Sequence, residues 1–148
     1  MLSYFKYGID QLNISRAVAL MRGSLQGILS DEARVKIEKS RQCIAQMVAK
    51  DATVYGVTTG FGILANTKIS AEDAALLQYK ILQSHSVGVG APVSEDIARL
   101  MLITKLHALS QGFSGVQLST VERIIWHLEN NIIPVVPAQG SVGASGDQ

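Results

Sequence analysis

Cysteine is nearly absent. A single thiol, Cys43, occurs in 148 residues, which excludes an internal disulfide and with it the small disulfide-stapled class. Its neighbours Ile37, Ile44, Met47 and Val48 place it on an expected core face. Charge of one sign is also lacking. Thirteen basic against twelve acidic residues leave a formal charge of +1 and no Lys/Arg cluster, so there is no electrostatic footprint for nucleic acid or for an anionic membrane. No stretch reaches the roughly 18 apolar residues of a spanning helix. The start, Met1-Leu2-Ser3-Tyr4-Phe5-Lys6, lacks a charged segment followed by an apolar one, so a cytoplasmic location is expected. Internal repeats and low-complexity tracts are missing too. His107 and His127 fall inside expected helices without a cysteine or carboxylate at ligand spacing. Both read as structural, and neither a metal nor a nucleotide is expected.

What is present is a string of helices with glycine stops, enough for one sizeable core. Ser15 is placed to cap a short helix ended by Gly23, with short extended pieces at Tyr7-Gly8-Ile9 and Leu12-Asn13-Ile14 before it. Ser30 or Asp31 caps a helix to about Lys50, whose Ile37, Ile44 and Val48 share an apolar face. Thr53-Val54-Tyr55 reads as a brief strand entering a loop of glycines and threonines. Ser70 with Asp73 opens a helix to about Val87, stopped by Gly88 and Gly90. Ser94 opens the next, apolar nearly all round before Gly112 and therefore expected to be buried. Ser119 and Glu122 form a capping box for a helix to about Asn130. Pro134 and Pro137 then force extended backbone toward a glycine-rich tail. The fold class is mainly α with a few short strands.

That tail, Gly140-Ser141-Val142-Gly143-Ala144-Ser145-Gly146-Asp147, carries the most informative chemistry. Attack of the Gly146 nitrogen on the Ala144 carbonyl carbon, with loss of two waters, converts Ser145 into the exocyclic methylidene of an imidazolone. Each residue type has a reason: an amide nitrogen unshielded by a Cβ, an uncrowded carbonyl, and a hydroxyl able to leave. The flanking glycines open the dihedral space that so tight a turn needs. Two plainer readings fit less well. No Gly-Lys-Ser/Thr follows and the spacing is not Gly-x-Gly-x-x-Gly, against a phosphate cradle. Asp147 stands where a Gly-x-Ser-x-Gly nucleophile elbow has its last glycine.

Three segments in order, Val54-Tyr55-Gly56-Val57-Thr58-Thr59-Gly60-Phe61-Gly62, Ser84-His85-Ser86-Val87-Gly88-Val89-Gly90 and the tail, strongly resemble the aromatic amino-acid ammonia-lyase family. Gln111-Gly112-Phe113-Ser114-Gly115 and Ile132-Ile133-Pro134-Val135-Val136-Pro137 extend the resemblance, which runs from about Ile9 to Asp147 and favours the histidine-selective members. It implies the N-terminal part of a fumarase/aspartase-like helical fold: a mostly helical domain over 1–110 carrying the Tyr55 loop and His85, and the start of the central helical domain over 111–148. It implies elimination of ammonia from L-histidine to give trans-urocanate. Ala144, Ser145 and Gly146 would form the methylidene-imidazolone, and Tyr55 would take the β-proton. Ser84, His85 and Gly62 would contact substrate, while Gly56, Gly60, Gly143 and Asp147 would support the loop and turn.

The resemblance further implies a homo-oligomer, a tetramer in the family. Family members run well past the triplet into a helical bundle with further catalytic groups, and have Leu where Gln148 stands. For these 148 residues alone the expectation is therefore an uncyclised triplet and an inactive helical fragment that associates through its exposed apolar helix over 94–112. An aminomutase, which returns the amine to the β-carbon, or another aromatic lyase remains the neighbouring reading.

Overall fold

The computed structural model describes residues 4–50, 54, 59, 76, 79–80, 82–83, 86 and 88–140. These form β1 (Phe5–Lys6), α1 (Ile14–Met21), β2 (Gly27–Ile28), α2 (Asp31–Ala49), β3 (Val89–Pro92), α3 (Glu95–Ser110), α4 (Leu118–Glu129) and β4 (Pro137–Gln139). The chain divides into two units, Met1–Cys43 with Val93–Val136, and Ile44–Pro92 with Pro137–Gln148.

The first unit begins with a parallel pair, Phe5 against Gly27 and Lys6 against Ile28, joined through α1. Tyr7-Gly8-Ile9 is a turn, not an extended piece: Ile9 and Asp10 both donate their backbone N–H to the Lys6 carbonyl. Gly8 adopts φ +74° there, a region closed to most side chains. The cap of α1 is Asn13, not Ser15. Asn13 sits extended at φ −131° and accepts from the Arg16 N–H, while Ser15 already lies within the helix. Asn caps as well as Ser does and stands one turn before the first free N–H groups. Gly23 at φ +71° closes α1 through a paired C-terminal motif, Gly23 N–H to Leu20 O and Ser24 N–H to Ala19 O.

Asp31 and Glu32 stand in the first turn of α2, where the helix dipole favours negative charge, and Ser30 Oγ accepts from Ala33 N–H at 3.4 Å. The expected apolar face holds only in part. Ile37 is buried, whereas Val48 is exposed and Cys43 is an exposed free thiol. Six residues after Ile37, Cys43 is rotated about 120° away at 100° per residue, onto the stripe it shares with Lys36 and Ser40.

Ser94 caps α3 as expected, accepting from Ile97 N–H. That helix is not buried all round: Ala98, Ile103 and Leu106 are enclosed, yet Ile97 and Met101 are about half exposed. The capping box on α4 does not form. The helix starts at Leu118 after Gln117 with no side-chain cap, leaving Ser119 inside the first turn, and Glu122 instead pairs with Arg34 of α2 at 2.5 Å. Asn131 at φ +55° terminates α4, with Ile132 N–H on His127 O and Asn131 N–H on Leu128 O.

Packing of α3 against both α1 and α4 encloses a core of Phe5, Tyr7, Leu20, Ile37, Ile103, Leu106 and Val121. Phe5 meets Tyr7 edge to face at 5.5 Å. Burial, and secondarily the charge of Glu129, push the Tyr7 phenol up to about 12. This hydroxyl belongs to the core and is protonated at any physiological pH.

Candidate functional site

Of the residues singled out for chemistry, Tyr55, Gly56, Gly60, Gly62, Ser84, His85, Gly143, Ala144, Ser145, Gly146 and Asp147 lie outside the described residues. So do Thr53 and Tyr55 of the expected strand and the Ser70/Asp73 helix start; Val54 itself is outside any strand. Their described neighbours carry the geometry. Thr59 is 1% exposed and in a bridge. Leu76, Tyr79, Lys80, Leu82 and Gln83 are helical, and Ser86 closes back on Leu82 through its N–H and its hydroxyl.

The second unit contains an antiparallel ribbon of β3 and β4, with Val89 opposite Gln139 and Pro92 opposite Pro137. From Val89 to Pro92 is three steps and from Gln139 to Pro137 two, so β3 holds one extra residue. Gly90, at φ +87°, permits the resulting irregularity, as a left-handed glycine does in a bulge. Neither proline has an N–H to offer a ladder, and both sit where the pairing ends.

Antiparallel direction has a consequence for the motifs. Val89 and Gln139 are neighbours, and the chain enters β3 and leaves β4 at that same end. His85 precedes Val89 by four residues and Ala144 follows Gln139 by five. Val89 and Gln139, fifty positions apart in sequence, are thereby brought to one place.

The two other histidines are held by backbone, as the sequence suggested. His107 Nδ1 accepts the Gly8 N–H at 3.2 Å, so its neutral proton belongs on Nε2. Burial lowers its pKa, opposed by the nearby Asp10 carboxylate. His127 Nδ1 lies 2.9 Å from Ile132 O and therefore donates to it. Among the described residues no cluster of His, Cys, Asp or Glu could hold a metal. A shallow cavity of about 620 Å³ lies in the first unit beside Asp10, Lys39, Cys43, His107 and Phe113. The sequence reading missed it because its wall combines a turn, one stripe of α2 and the end of α3, which no local pattern links.

Also missed were Gly88 and Pro137. A Cβ on Gly88 would stand 2.7 Å from Pro137 Cγ, so a contact with the proline ring requires glycine there.

A family model described as aromatic amino acid lyase matches residues 12–148. The chain is 41% identical over 138 residues to the histidine ammonia-lyase of Caldanaerobacter subterraneus subsp. tengcongensis, an alignment covering 93% of this chain and 27% of that protein. Among solved structures it is similar to histidine ammonia-lyase from Trypanosoma cruzi, with TM-score 0.83, 33% identity and coverage of 97% of this chain and 28% of that one. It is also similar to tyrosine aminomutase from Streptomyces globisporus, with TM-score 0.85, 27% identity and coverage of 94% and 26%. The chain thus spans about 27% of the length of the curated relative it matches.

Proposed function

The chain belongs to the aromatic amino acid lyase family, a family of carbon–nitrogen lyases, and from that premise we propose that it is the N-terminal segment of a histidine ammonia-lyase that converts L-histidine to trans-urocanate. The observation that carries the reading is the family match over 12–148, which takes in Tyr55, Ser84-His85 and the Ala144-Ser145-Gly146 triplet together. Identity of 41% to a protein named histidine ammonia-lyase supports the substrate.

The residues needed for a self-made prosthetic group are all present in the chain. A bond forms between Gly146 N and Ala144 C. One water takes the Ala144 carbonyl oxygen with the amide hydrogens of Ser145 and Gly146, and a second takes the Ser145 hydroxyl with its Cα hydrogen. The resulting methylidene-imidazolone supplies an electrophile that makes the substrate's amine a better leaving group. Tyr55 accepts the β-proton; its ordinary pKa of about 10 requires a setting that favours the phenolate. Ser84 and His85 hold the substrate's imidazole, with Gly62 beside it, and the same-ended exit of the chain from β3 and β4 supports bringing that pair near the triplet. Gly56 and Gly60 let the Tyr55 loop close over substrate, and Gly143 and Asp147 steady the turn.

Residues 111–148 open the central helical domain in this reading, and the working form is a cytoplasmic homo-oligomer. Half-exposed Ile97 and Met101 on one side of α3 support further apolar packing. Among the described residues no helix is long and apolar enough to cross a membrane.

The test is intact-mass spectrometry of the full-length protein expressed from its own gene, alongside product analysis from L-histidine. The expected result is a mass deficit of two waters, abolished by Ser145→Ala together with urocanate formation. An unmodified Ser145 and no deamination of any aromatic amino acid would overturn the reading. Likeness to a tyrosine aminomutase fold favours one alternative, and accumulation of a β-amino acid would establish it instead.

A further inference from the structure

The cavity beside Asp10, Lys39 and Phe113 is built from three stretches of the first unit, and three contacts tie them together. Gly8 N–H donates to His107 Nδ1 at 3.2 Å, which joins the N-terminal turn to α3. Gly112, at the end of α3, lies directly on α2, since a Cβ there would stand 2.7 Å from the Lys36 backbone. Gly115 N–H, in the loop that follows, donates to Ser40 Oγ of α2 at 3.0 Å. Packing therefore sets the shape of this space, and its volume of about 620 Å³ is that of a small-molecule site. Its charges are of both signs. Lys36 is paired with Glu32 at 2.9 Å, and one oxygen of Asp10 accepts the Lys6 N–H at 2.8 Å. The other Asp10 oxygen and the Lys39 ammonium remain. Both residues line the cavity, yet among the described residues no ion pair joins them.

We propose that this cavity binds a free α-amino acid with an aromatic or large apolar side chain, an inference that does not rest on the lyase reading. Opposite charges that share a space without meeting are bridged by a zwitterion, whose two ends each gain a charge-assisted hydrogen bond. The ligand's carboxylate goes to Lys39 and its ammonium to the remaining Asp10 oxygen. His107, with Nδ1 taken by Gly8, keeps Nε2–H as a second donor for the carboxylate. The Phe113 ring, 85% exposed, offers a face to the ligand's side chain. A simple anion fits less well, because Asp10 repels it within the same space, and phosphate is repelled more strongly still. A simple cation meets two lysines against one aspartate. Cys43 lines the same wall as an exposed thiol; it takes no chemical part, but a bound ligand covers it.

The experiment follows alkylation of Cys43 by iodoacetamide, an uncharged reagent, in the full-length protein, with the modified peptide quantified by mass spectrometry. The probe is L-phenylalanine, set against 3-phenylpropionate, which lacks the ammonium, and phenethylamine, which lacks the carboxylate. The expected result is alkylation slowed about fivefold or more by saturating L-phenylalanine, and less than about twofold by either analogue at the same concentration. Lys39→Gln removes the cation, and Asp10→Asn removes the anion while keeping an acceptor for the Lys6 N–H. Each should raise the L-phenylalanine concentration for half protection about threefold or more. Absence of protection in wild type, equal protection by 3-phenylpropionate, or an unchanged half-protecting concentration in either variant would overturn the proposal. So would a Cys43 that reacts only after denaturation, since the cavity would then be closed. The two-water mass deficit and urocanate formation test the lyase reading separately.

Discussion

Replacing Gly8 by alanine isolates how the N-terminal turn is latched onto α3. Gly8 sits at φ +74°, and a Cβ there would fall onto the carbonyl of Ser110 and 2.8 Å from Gln111 N. All three of the nearest atoms are backbone, so no side chain can swing aside. The left-handed conformation alone costs an alanine about 1–2 kcal/mol. Moving the turn to relieve the overlap lengthens the Gly8 N–H bond to His107 Nδ1, now 3.2 Å, for roughly another 0.5–1.5 kcal/mol. Phe5 and Tyr7, just upstream, are 2% and 5% exposed, and their packing shifts with the turn. The total expected is about 3 kcal/mol or more. Gly23 provides the control, since it has nearly the same φ, +71°, but no atom within 4 Å of a built Cβ. Gly23→Ala should therefore cost only the dihedral part, about 1–2 kcal/mol. The entropy an alanine removes from the unfolded chain is common to both and cancels in the difference. Urea unfolding of the two variants, at a slope of about 1–3 kcal/mol per molar, would separate their midpoints by at least several tenths of a molar. Equal midpoints would refute the reasoning, because sterics at Ser110 and the His107 bond would then contribute nothing.

His107 links stability to pH. Burial holds its folded pKa below the usual 6.5, so the unfolded imidazole takes up a proton first; stability is full above about 6.5 and falls as pH drops toward the folded value. His107→Gln, which keeps an acceptor for the Gly8 N–H without titrating, should flatten that fall in urea midpoints measured from pH 8 to 5; an unchanged slope would assign it to other groups. Glu122→Gln should cost less than about 1 kcal/mol in thermal unfolding, because Arg34 and Glu122 have side chains 38% and 46% exposed; a larger loss would mean the pair is tighter than its exposure allows. Cys43→Ser should change stability by less than about 0.5 kcal/mol, and Cys43, being exposed, should react with a thiol reagent in the native protein; a thiol that reacts only after denaturation would contradict its placement on α2.

Elements were legible wherever a single strong signal marked them: Ser94 before α3, Gly23 and Gly112 after their helices, and Pro134 and Pro137 in the extended backbone that leads into and opens β4. What failed were choices decided across space. Ser119-x-x-Glu122 has the right spacing for a capping box, yet Glu122 finds Arg34, a residue 88 positions away, and no local window contains that competitor. Ser15 lost to Asn13 because two good caps stood two residues apart. Cys43 looked buried because apolar neighbours in sequence are not apolar neighbours around a helix. The proposed chemistry rests on the opposite kind of signal: a backbone that attacks itself needs three consecutive residues of particular types, and Ala144-Ser145-Gly146, which lies outside the described residues, is as local as a signal can be. The ribbon was not foreseen, since Gly88 and Pro137 carry meaning only as a pair.

The first unit is discontinuous: its two stretches, Met1–Cys43 and Val93–Val136, are separated in the chain by residues 44–92. During synthesis the early half emerges without α3 and α4, the partners of Phe5, Tyr7 and Ile37. At roughly 5–20 residues per second, those side chains stay wet for seconds until α3 clears the ribosome. A nascent chain of this kind invites chaperones that shield apolar segments, and slow codons across 44–92 would lengthen that exposure.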